Sequence, residues 1–287
     1  MKSLIKKVIT ILPDKLALQI PYYYHHRCFI NWKHPRSFSE KLQWLKVYDR
    51  NPMYTDLVDK IKVKPIVAGK IGSEFVIPTL KIWDSAADIC FDELPNQFVL
   101  KTNHAGGSSG VIVCSDKAKL NKDICIKALE QSLSSDTYYY GREWPYKNIQ
   151  RKVFAEVFLS DEKNEDLTDY KFFCFNGEPK FCQVIRDRHK KETIDFYDMD
   201  WNHQEFVGLN PVARNGLTPV ARPENLEVMK EIASKLSVDF KFARIDLYEV
   251  NGRCYFGEIT LYPASGFGKF SPDAWNIEIG NLINIDN

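Results

Sequence analysis

Arg244-Ile-Asp246-Leu and Glu258-Ile-Thr260-Leu lie on either side of Asn251-Gly252, in a stretch rich in β-forming residues. Asn-Gly between two such runs is a strong hairpin signal. A strict two-residue turn would pair Val250 with Arg253 and put Glu258 on the face of Ile245, mixing acids with aliphatics. A loop one residue longer, with Gly252 at positive φ, separates them. Ile245, Leu247, Ile259 and Leu261 then share a core face, and Arg244, Asp246, Glu258 and Thr260 share the other. The pattern therefore favours the longer loop. In that register Asp246 and Glu258 are cross-strand neighbours, and like charges so placed repel unless a cation lies between them. Hard carboxylate oxygens suit Mg2+. The plain alternative is a solvent-facing sheet surface carrying stray acids.

The second cluster is Lys101-Thr-Asn-His104-Ala-Gly106-Gly107-Ser108-Ser109-Gly110. Glycines let backbone N–H groups approach an anion, hydroxyls add donors and the lysine supplies charge, an arrangement suited to phosphate. The spacing matches neither the P-loop nor the dinucleotide fingerprint, and a plain hairpin connection has the same composition. For His104 a loop-anchoring hydrogen bond is expected rather than catalysis. Arg186-Asp-Arg188-His-Lys-Lys191 is a basic run. There Arg186 and Arg188 either capture an anionic glycan or carboxylate bidentately or form a solvated loop.

These groups need elements to hold them. Ser37-Phe-Ser-Glu40 is a capping box, opening a helix with Phe38, Leu42 and Leu45 on one side. Helical periodicity also covers 53–63, stopping before Pro65, as well as 121–133 and 223–236. Residues 97–101 and 110–114 read as strands into and out of the Gly/Ser loop, and 75–83 as one or two short extended segments. Residues 153–159 read as a further strand, and 170–175 with 180–185 as a hairpin about Asn176-Gly177. Residues 138–146, rich in aromatics, read as a loop. Lobe boundaries fall near 70 and 155, giving a mainly helical region 1–70, a small lobe 71–155 and a C-terminal lobe 156–287.

The composition bounds the possible functions. At 287 residues, with 44% apolar and 27% charged side chains, the chain can bury a large core. A net charge of +1 gives no bias toward nucleic acid. Seven cysteines without a Cys-x-x-Cys pair argue against a disulfide framework or zinc site and for a reducing cytosol. No apolar run approaches a transmembrane span. The basic, apolar N-terminus lacks a small-residue cleavage site and is not read as a signal peptide. Its stripe of Leu4, Ile5, Val8, Ile9 and Leu12 either packs on the protein, the favoured reading, or lies on an anionic membrane surface.

Asp59-Lys60, Lys101 with its loop, Glu156 at a strand end, Arg244-x-Asp246 and Glu258-x-Thr260 follow one another in the order of the ATP-grasp superfamily, which the chain resembles. It is most similar to the TupA-like ATP-grasp family, associated with teichuronopeptide and other bacterial surface polysaccharides. Pro35-Arg-Ser-Phe-Ser-Glu-Lys-Leu-Gln-Trp44, Gly141-Arg-Glu-Trp-Pro-Tyr146 and Gly257-Glu-Ile-Thr-Leu-Tyr-Pro-Ala-Ser-Gly-Phe267 carry that closer likeness, which spans nearly the whole chain.

The resemblance implies an α+β ATP-grasp fold with a nucleotide held between two lobes of antiparallel sheet. It places Lys60 and Lys101 on ATP phosphates, with Gly106, Gly107, Ser108 and Ser109 closing over them, and Glu156, Val157 and Phe158 at the adenine. Asp246, Glu258 and Thr260 would hold Mg2+, although the superfamily commonly has Asn where Thr260 stands. Arg244 would meet the transferring phosphoryl group, and Lys101 would assist it. Lys171 faces either the same cleft or solvent. The implied chemistry is carboxylate activation as an acyl phosphate, joining an amine or amino acid to a uronic acid of a capsular or cell-wall glycan. A phosphotransferase acting on a sugar and a non-catalytic glycan-assembly or glycan-binding protein stay open as alternatives. The expected place is the cytoplasm, with room for peripheral contact with the inner membrane face or with polysaccharide-assembly enzymes.

Overall fold

Two antiparallel sheets organise the chain. The computed structural model describes residues 11–107, 109–136, 138–161, 167–186, 192–209 and 214–285. Ser108, Arg188 and the stripe residues Leu4, Ile5, Val8 and Ile9 lie outside the described residues. Helices α1 (Asp14–His26), α2 (Phe38–Tyr48), α3 (Tyr54–Val58) and α4 (Val63–Ile71) precede strand β1 (Thr79–Trp83). Then come β2 (Phe98–Thr102), β3 (Val111–Cys114), α5 (Lys122–Ser134), α6 (Tyr138–Gly141) and β4 (Val153–Val157). The second half runs β5 (Asp169–Phe175), β6 (Glu178–Arg186), β7 (Thr193–Asp198), β8 (His203–Gln204), β9 (Val207–Gly208), α7 (Leu226–Ser237), β10 (Phe242–Val250), β11 (Arg253–Thr260), β12 (Phe270–Ser271) and α8 (Ala274–Asn281).

The smaller sheet has the order β1-β4-β2-β3, the larger β11-β10-β5-β6-β7-β8, and β12 pairs with β9. The chain passes from one sheet to the other between β4 and β5. Phe98, Leu100 and Ala155 of the smaller sheet pack with Cys125 and Leu129 of α5. The larger sheet has its own core, in which α7 buries Leu226, Met229, Ile232, Ala233 and Leu236. No described helix is long and apolar enough to cross a membrane.

The capping box at α2 is present in both directions between Ser37 and Glu40, and Asn176-Gly177 turns β5 into β6 with Phe175 opposite Glu178. Three segments differ from expectation. Residues 53–63 are not one helix: the backbone extends at Asp59 (ψ 113°) between α3 and α4. Pro65 is the third residue of α4, where a missing N–H costs nothing because first-turn donors have no helical acceptor. Residues 138–146 carry α6 and a 3-10 turn, Trp144–Tyr146, rather than loop alone.

The third difference sets the register of β10 and β11. The turn has two residues after all, Asn251 (φ 51°) and Gly252 (φ 76°), with Val250 opposite Arg253. The extra residue sits along the strand instead. Leu247 faces Phe256, while Asp246 faces Glu258, so Gly257 is bulged out. The faces sort as the hydrophobic pattern requires, and Ile245, Leu247, Ile259 and Leu261 are all buried. Gly257 is needed because a Cβ there would stand 3.0 Å from both the Asp246 carbonyl oxygen and the Tyr248 ring.

Gly257→Val should therefore cost about 2 kcal/mol or more in urea unfolding through overpacking. Gly252→Ala, where the space is open, should cost about 1 kcal/mol for its positive φ alone. Equal costs at both positions would count against a bulge that depends on close approach.

Candidate active site

A cleft of about 750 Å3 is lined from both sheets. The larger sheet supplies its charged floor through β10 and β11, because the bulge turns four polar residues to one face. On β10, the Arg244 guanidinium grips Asp246 with Nε to Oδ1 at 2.6 Å and Nη2 to Oδ2 at 2.7 Å. The same Nη2 reaches Thr260 Oγ1 at 3.0 Å and Glu258 Oε1 at 3.4 Å on β11. Thr260 Oγ1 in turn donates to Glu258 Oε1 at 3.2 Å. From β5, paired in register with Asp246, Lys171 donates to Asp246 Oδ2 and lies 3.4 Å from Asp169. Lys171 is thus buried in the cleft rather than solvated.

Lys60 joins this floor to the other half. It stands in the break between α3 and α4, which Asp59 holds by accepting from the Ile61 N–H and from Asn103 Nδ2, each at 2.9 Å. Lys60 Nζ donates to the Ala105 carbonyl of the Gly/Ser loop at 2.6 Å and lies 3.2 Å from Glu258 Oε2. Burial alone would raise the Glu258 pKa, but Lys60, Lys171 and Arg244 together hold it far below the usual carboxylate value. Arg244 is held above its usual value, because Asp246 and Glu258 outweigh its burial.

On the smaller sheet, Lys101 lies 2.5 Å from Glu156 Oε2, and Lys64 of α4 lies 2.7 Å from Oε1. Burial pushes the Lys64 pKa down. Against burial, which acts upward, Lys101 and Lys64 hold Glu156 below its usual value. The Glu156 carboxylate is therefore committed to two lysines. Lys101, Gly106 and Gly107 line the cleft; Ser109, Glu156, Val157 and Phe158 do not. Val157 has its N–H on the Pro78 carbonyl at 3.1 Å. His104 lines the cleft, and burial and Arg151 lower its pKa against the backbone of Ser132 and Ser135, which acts to raise it. Arg186 lies outside the cleft, its Nη2 donating to Asp195 at 3.0 Å and to the Thr218 carbonyl at 2.8 Å.

Sequence reasoning missed Lys64, Lys46, Glu143 and Ser265. The last three meet where α2, α6 and the segment after β11 converge. Ala264 (φ 49°) and Ser265 (φ 53°) form a left-handed turn with Gly266. Lys46, fully buried, donates to the carbonyls of Gly141 at 2.6 Å and Ser265 at 2.7 Å, and to Gln43 Oε1 at 3.0 Å. Gln43 donates to the Gly266 carbonyl at 2.8 Å. Ser265 Oγ donates to Glu143 Oε1 at 2.5 Å, and Glu143 lines the cleft. Burial raises the Glu143 pKa and lowers that of Lys46.

The floor fits Mg2+ in the chemistry of its donors: two carboxylates in direct register with a hydroxyl beside them. Among the described residues no three His, Cys, Asp or Glu side chains converge. A cation there would draw its remaining oxygens from phosphate and water, as Mg2+ commonly does.

The family described as TupA-like ATPgrasp matches residues 40–284. No curated protein is significantly similar to the chain. Among solved structures, the D-alanine–D-alanine ligase of Bacillus anthracis complexed with ATP is 18% identical, covering 72% of this chain and 54% of that one, with a TM-score of 0.41. The D-alanine–D-alanine ligase of Helicobacter pylori is 18% identical, covering 87% and 70%, at 0.45. The ATP-grasp ligase PsnB with minimal precursor is 9% identical, covering 78% and 60%, at 0.41. The chain thus spans about half the length of the first of these.

Repulsion between the acids would make Asp246→Asn neutral or stabilising without metal. The observed network predicts the reverse, because the change leaves Arg244 and Lys171 buried without their counter-charge. Metal-free Asp246→Asn should lose about 3–5 kcal/mol in urea unfolding. Glu258→Gln should lose less, its side chain being 27% exposed. The Glu258 pKa is depressed in the fold, so its stabilisation is full above 4.5 and fades as pH falls. The gap between parent and Glu258→Gln should accordingly close in acid. A metal-free Asp246→Asn protein as stable as the parent would sink this account.

Proposed function

The chain belongs to the TupA-like ATP-grasp family, and from that premise we propose that it is an ATP-dependent carboxylate–amine ligase. The observation that carries the proposal is the convergence of Lys60, Lys101, Lys171 and Arg244, from both halves, on one cleft floored by Asp246 and Glu258. That is a place for triphosphate beside a reacting carboxylate.

Lys60 and Lys101 bind ATP phosphates, with Gly106 and Gly107 covering them. Glu156 positions Lys101 and Lys64 through its carboxylate. Asp246, Glu258 and Thr260 hold Mg2+, which when bound neutralises phosphate charge. The substrate carboxylate oxygen takes the γ-phosphoryl group and ADP departs, with Arg244 facing the charge on the moving group. The amine nitrogen then attacks the acyl carbon, the C–N bond forms, and the C–O bond to phosphate breaks with its electron pair on the leaving phosphate. Among the described residues Glu143 pairs with none of the lysines and arginines that line this cleft, and its carboxyl, whose pKa burial raises, is suited to take the proton from the attacking amine. For the substrates we propose a uronic acid of a bacterial capsular or cell-wall glycan and an amino acid or other amine. The enzyme would work in the cytoplasm, where ATP is available.

With ATP, Mg2+ and a panel of uronic acids, hydroxylamine should trap a hydroxamate with stoichiometric ADP and phosphate. AMP would exclude an acyl phosphate, and a phosphosugar would indicate a phosphotransferase. Glu143→Gln should keep hydroxamate formation within about threefold of the parent, because hydroxylamine is neutral near pH 7. It should lose amide formation with a protonated amine by about 100-fold or more. Parallel loss of both products would remove Glu143 from the proton-transfer role.

A further inference from the structure

We propose that a second cavity beside the cleft, continued by the exposed aromatic face of α1, receives several consecutive units of an anionic glycan rather than a free sugar. This rests on the ligase reading and names the form of its carboxylate substrate. The cavity encloses about 600 Å3, and its lining includes His25, Tyr140, Leu209, Phe267, Lys269 and Asp273. Ala264 and Ser265 line both the cavity and the nucleotide cleft. A chain seated in the cavity therefore needs to cross only one left-handed turn to reach the reacting end of the cleft.

The cavity's chemistry suits sugar rings. His25 stacks on Phe267 with centroids 5.5 Å apart, and Tyr140 meets Phe267 edge-on at 5.7 Å. A 3.1 Å hydrogen bond between the Tyr140 hydroxyl and His25 Nε2 fixes the group. Such rings present flat apolar faces with polar edges, which match the C–H faces and hydroxyl rim of a pyranose. Lys269 has no ion pair among the described residues, and its charge is felt by His25, whose pKa burial and Lys269 both lower. It is available for a carboxylate of the glycan, while Asp273 can accept from hydroxyls.

The aromatic surface continues outward. Tyr24 and Phe29 are each 67% exposed, and Tyr23 stacks on Phe29 at 4.9 Å. Rings left in water in such a group mark a surface that something covers. The charge around them favours a polyanion: between residues 14 and 36 stand Lys15, Arg27, Lys33 and Arg36 against one carboxylate, Asp14, which Arg50 pairs. An anionic bilayer would find the same rings and charges, but a flat surface cannot enter the cavity.

The test uses the whole protein without nucleotide and, as probes, galacturonic acid, its linear oligomers up to six units, and neutral maltohexaose. Calorimetry should show affinity rising about tenfold or more from monomer to hexamer, with maltohexaose about tenfold weaker than the charged hexamer. Tyr140→Ala and Lys269→Ala should each weaken the hexamer about fivefold or more and leave MgATP binding unchanged. No binding by any oligomer, monomer affinity equal to that of the hexamer, or variants that bind as the parent does would each overturn the proposal. So would a protein that sediments with anionic phosphatidylglycerol vesicles but binds no glycan. Failure of the parent to bind MgATP would instead strike the ligase reading, which the same calorimeter measures separately.

Discussion

Three cations, Lys60, Lys171 and Arg244, converge on two carboxylates, Asp246 and Glu258, and a buried charge without a counter-charge costs several kcal/mol. The rest of the structure serves that constraint. Lys60 is the member that comes from the N-terminal helices, and it binds the Gly/Ser loop and the β11 carboxylate with one ammonium group. The two halves are thereby set against each other at the place where chemistry is proposed. A nucleotide entering the cleft must exchange partners within a satisfied network rather than fill a repulsive void. In the proposed reaction its phosphates would take Lys60 and Arg244 as partners, which would free the two carboxylates for Mg2+.

The acids were legible in the sequence, while their neutralisation was not. Asp246 and Glu258 stand out because carboxylates are depleted in strands. Lys60 is distant in sequence, and Lys171 reads equally well as a surface residue. The sorting of β10 and β11 into an apolar and a polar face was also legible, since a period of two allows only one sorting that buries Ile245, Leu247, Ile259 and Leu261. Where the extra residue sits was not legible. A longer turn and a bulge restore the same alternation, and only the contact of Gly257 with Asp246 and Tyr248 distinguishes them. The break between α3 and α4 escaped notice for a similar reason: apolar residues keep helical spacing across 53–63, and nothing local shows that Asp59 bonds to Asn103.

The three strings that carried the family resemblance show another limit. They are far apart in the chain, yet Gln43 from the first bonds to Gly266 of the third, Ser265 of the third bonds to Glu143 of the second, and Lys46, two residues beyond the first, bonds to Gly141 and Ser265. As strings they identify the family. As contacts they were invisible, because Lys46 on an amphipathic helix reads as solvent-exposed, and a lone Glu143 in an aromatic segment has no spacing partner.

This junction costs energy that its position explains. Left-handed conformations at Ala264 and Ser265 cost about 1–3 kcal/mol each, and burial disfavours the charge on Lys46, whose pKa it lowers. Both are sustained because each offsets the other's deficit. The left-handed turn aims the Ser265 carbonyl at Lys46 Nζ, and the ammonium group satisfies that carbonyl together with the one at Gly141. Ser265 Oγ is left to face Glu143 on the cleft side. An ordinary extended linker there would need no buried lysine, but it could not place two residues so that both line the cleft and the second cavity. The strained turn is a thin wall lined on both sides by Ala264 and Ser265, so that in the proposed reaction a group bound on one side would lie next to the nucleotide on the other.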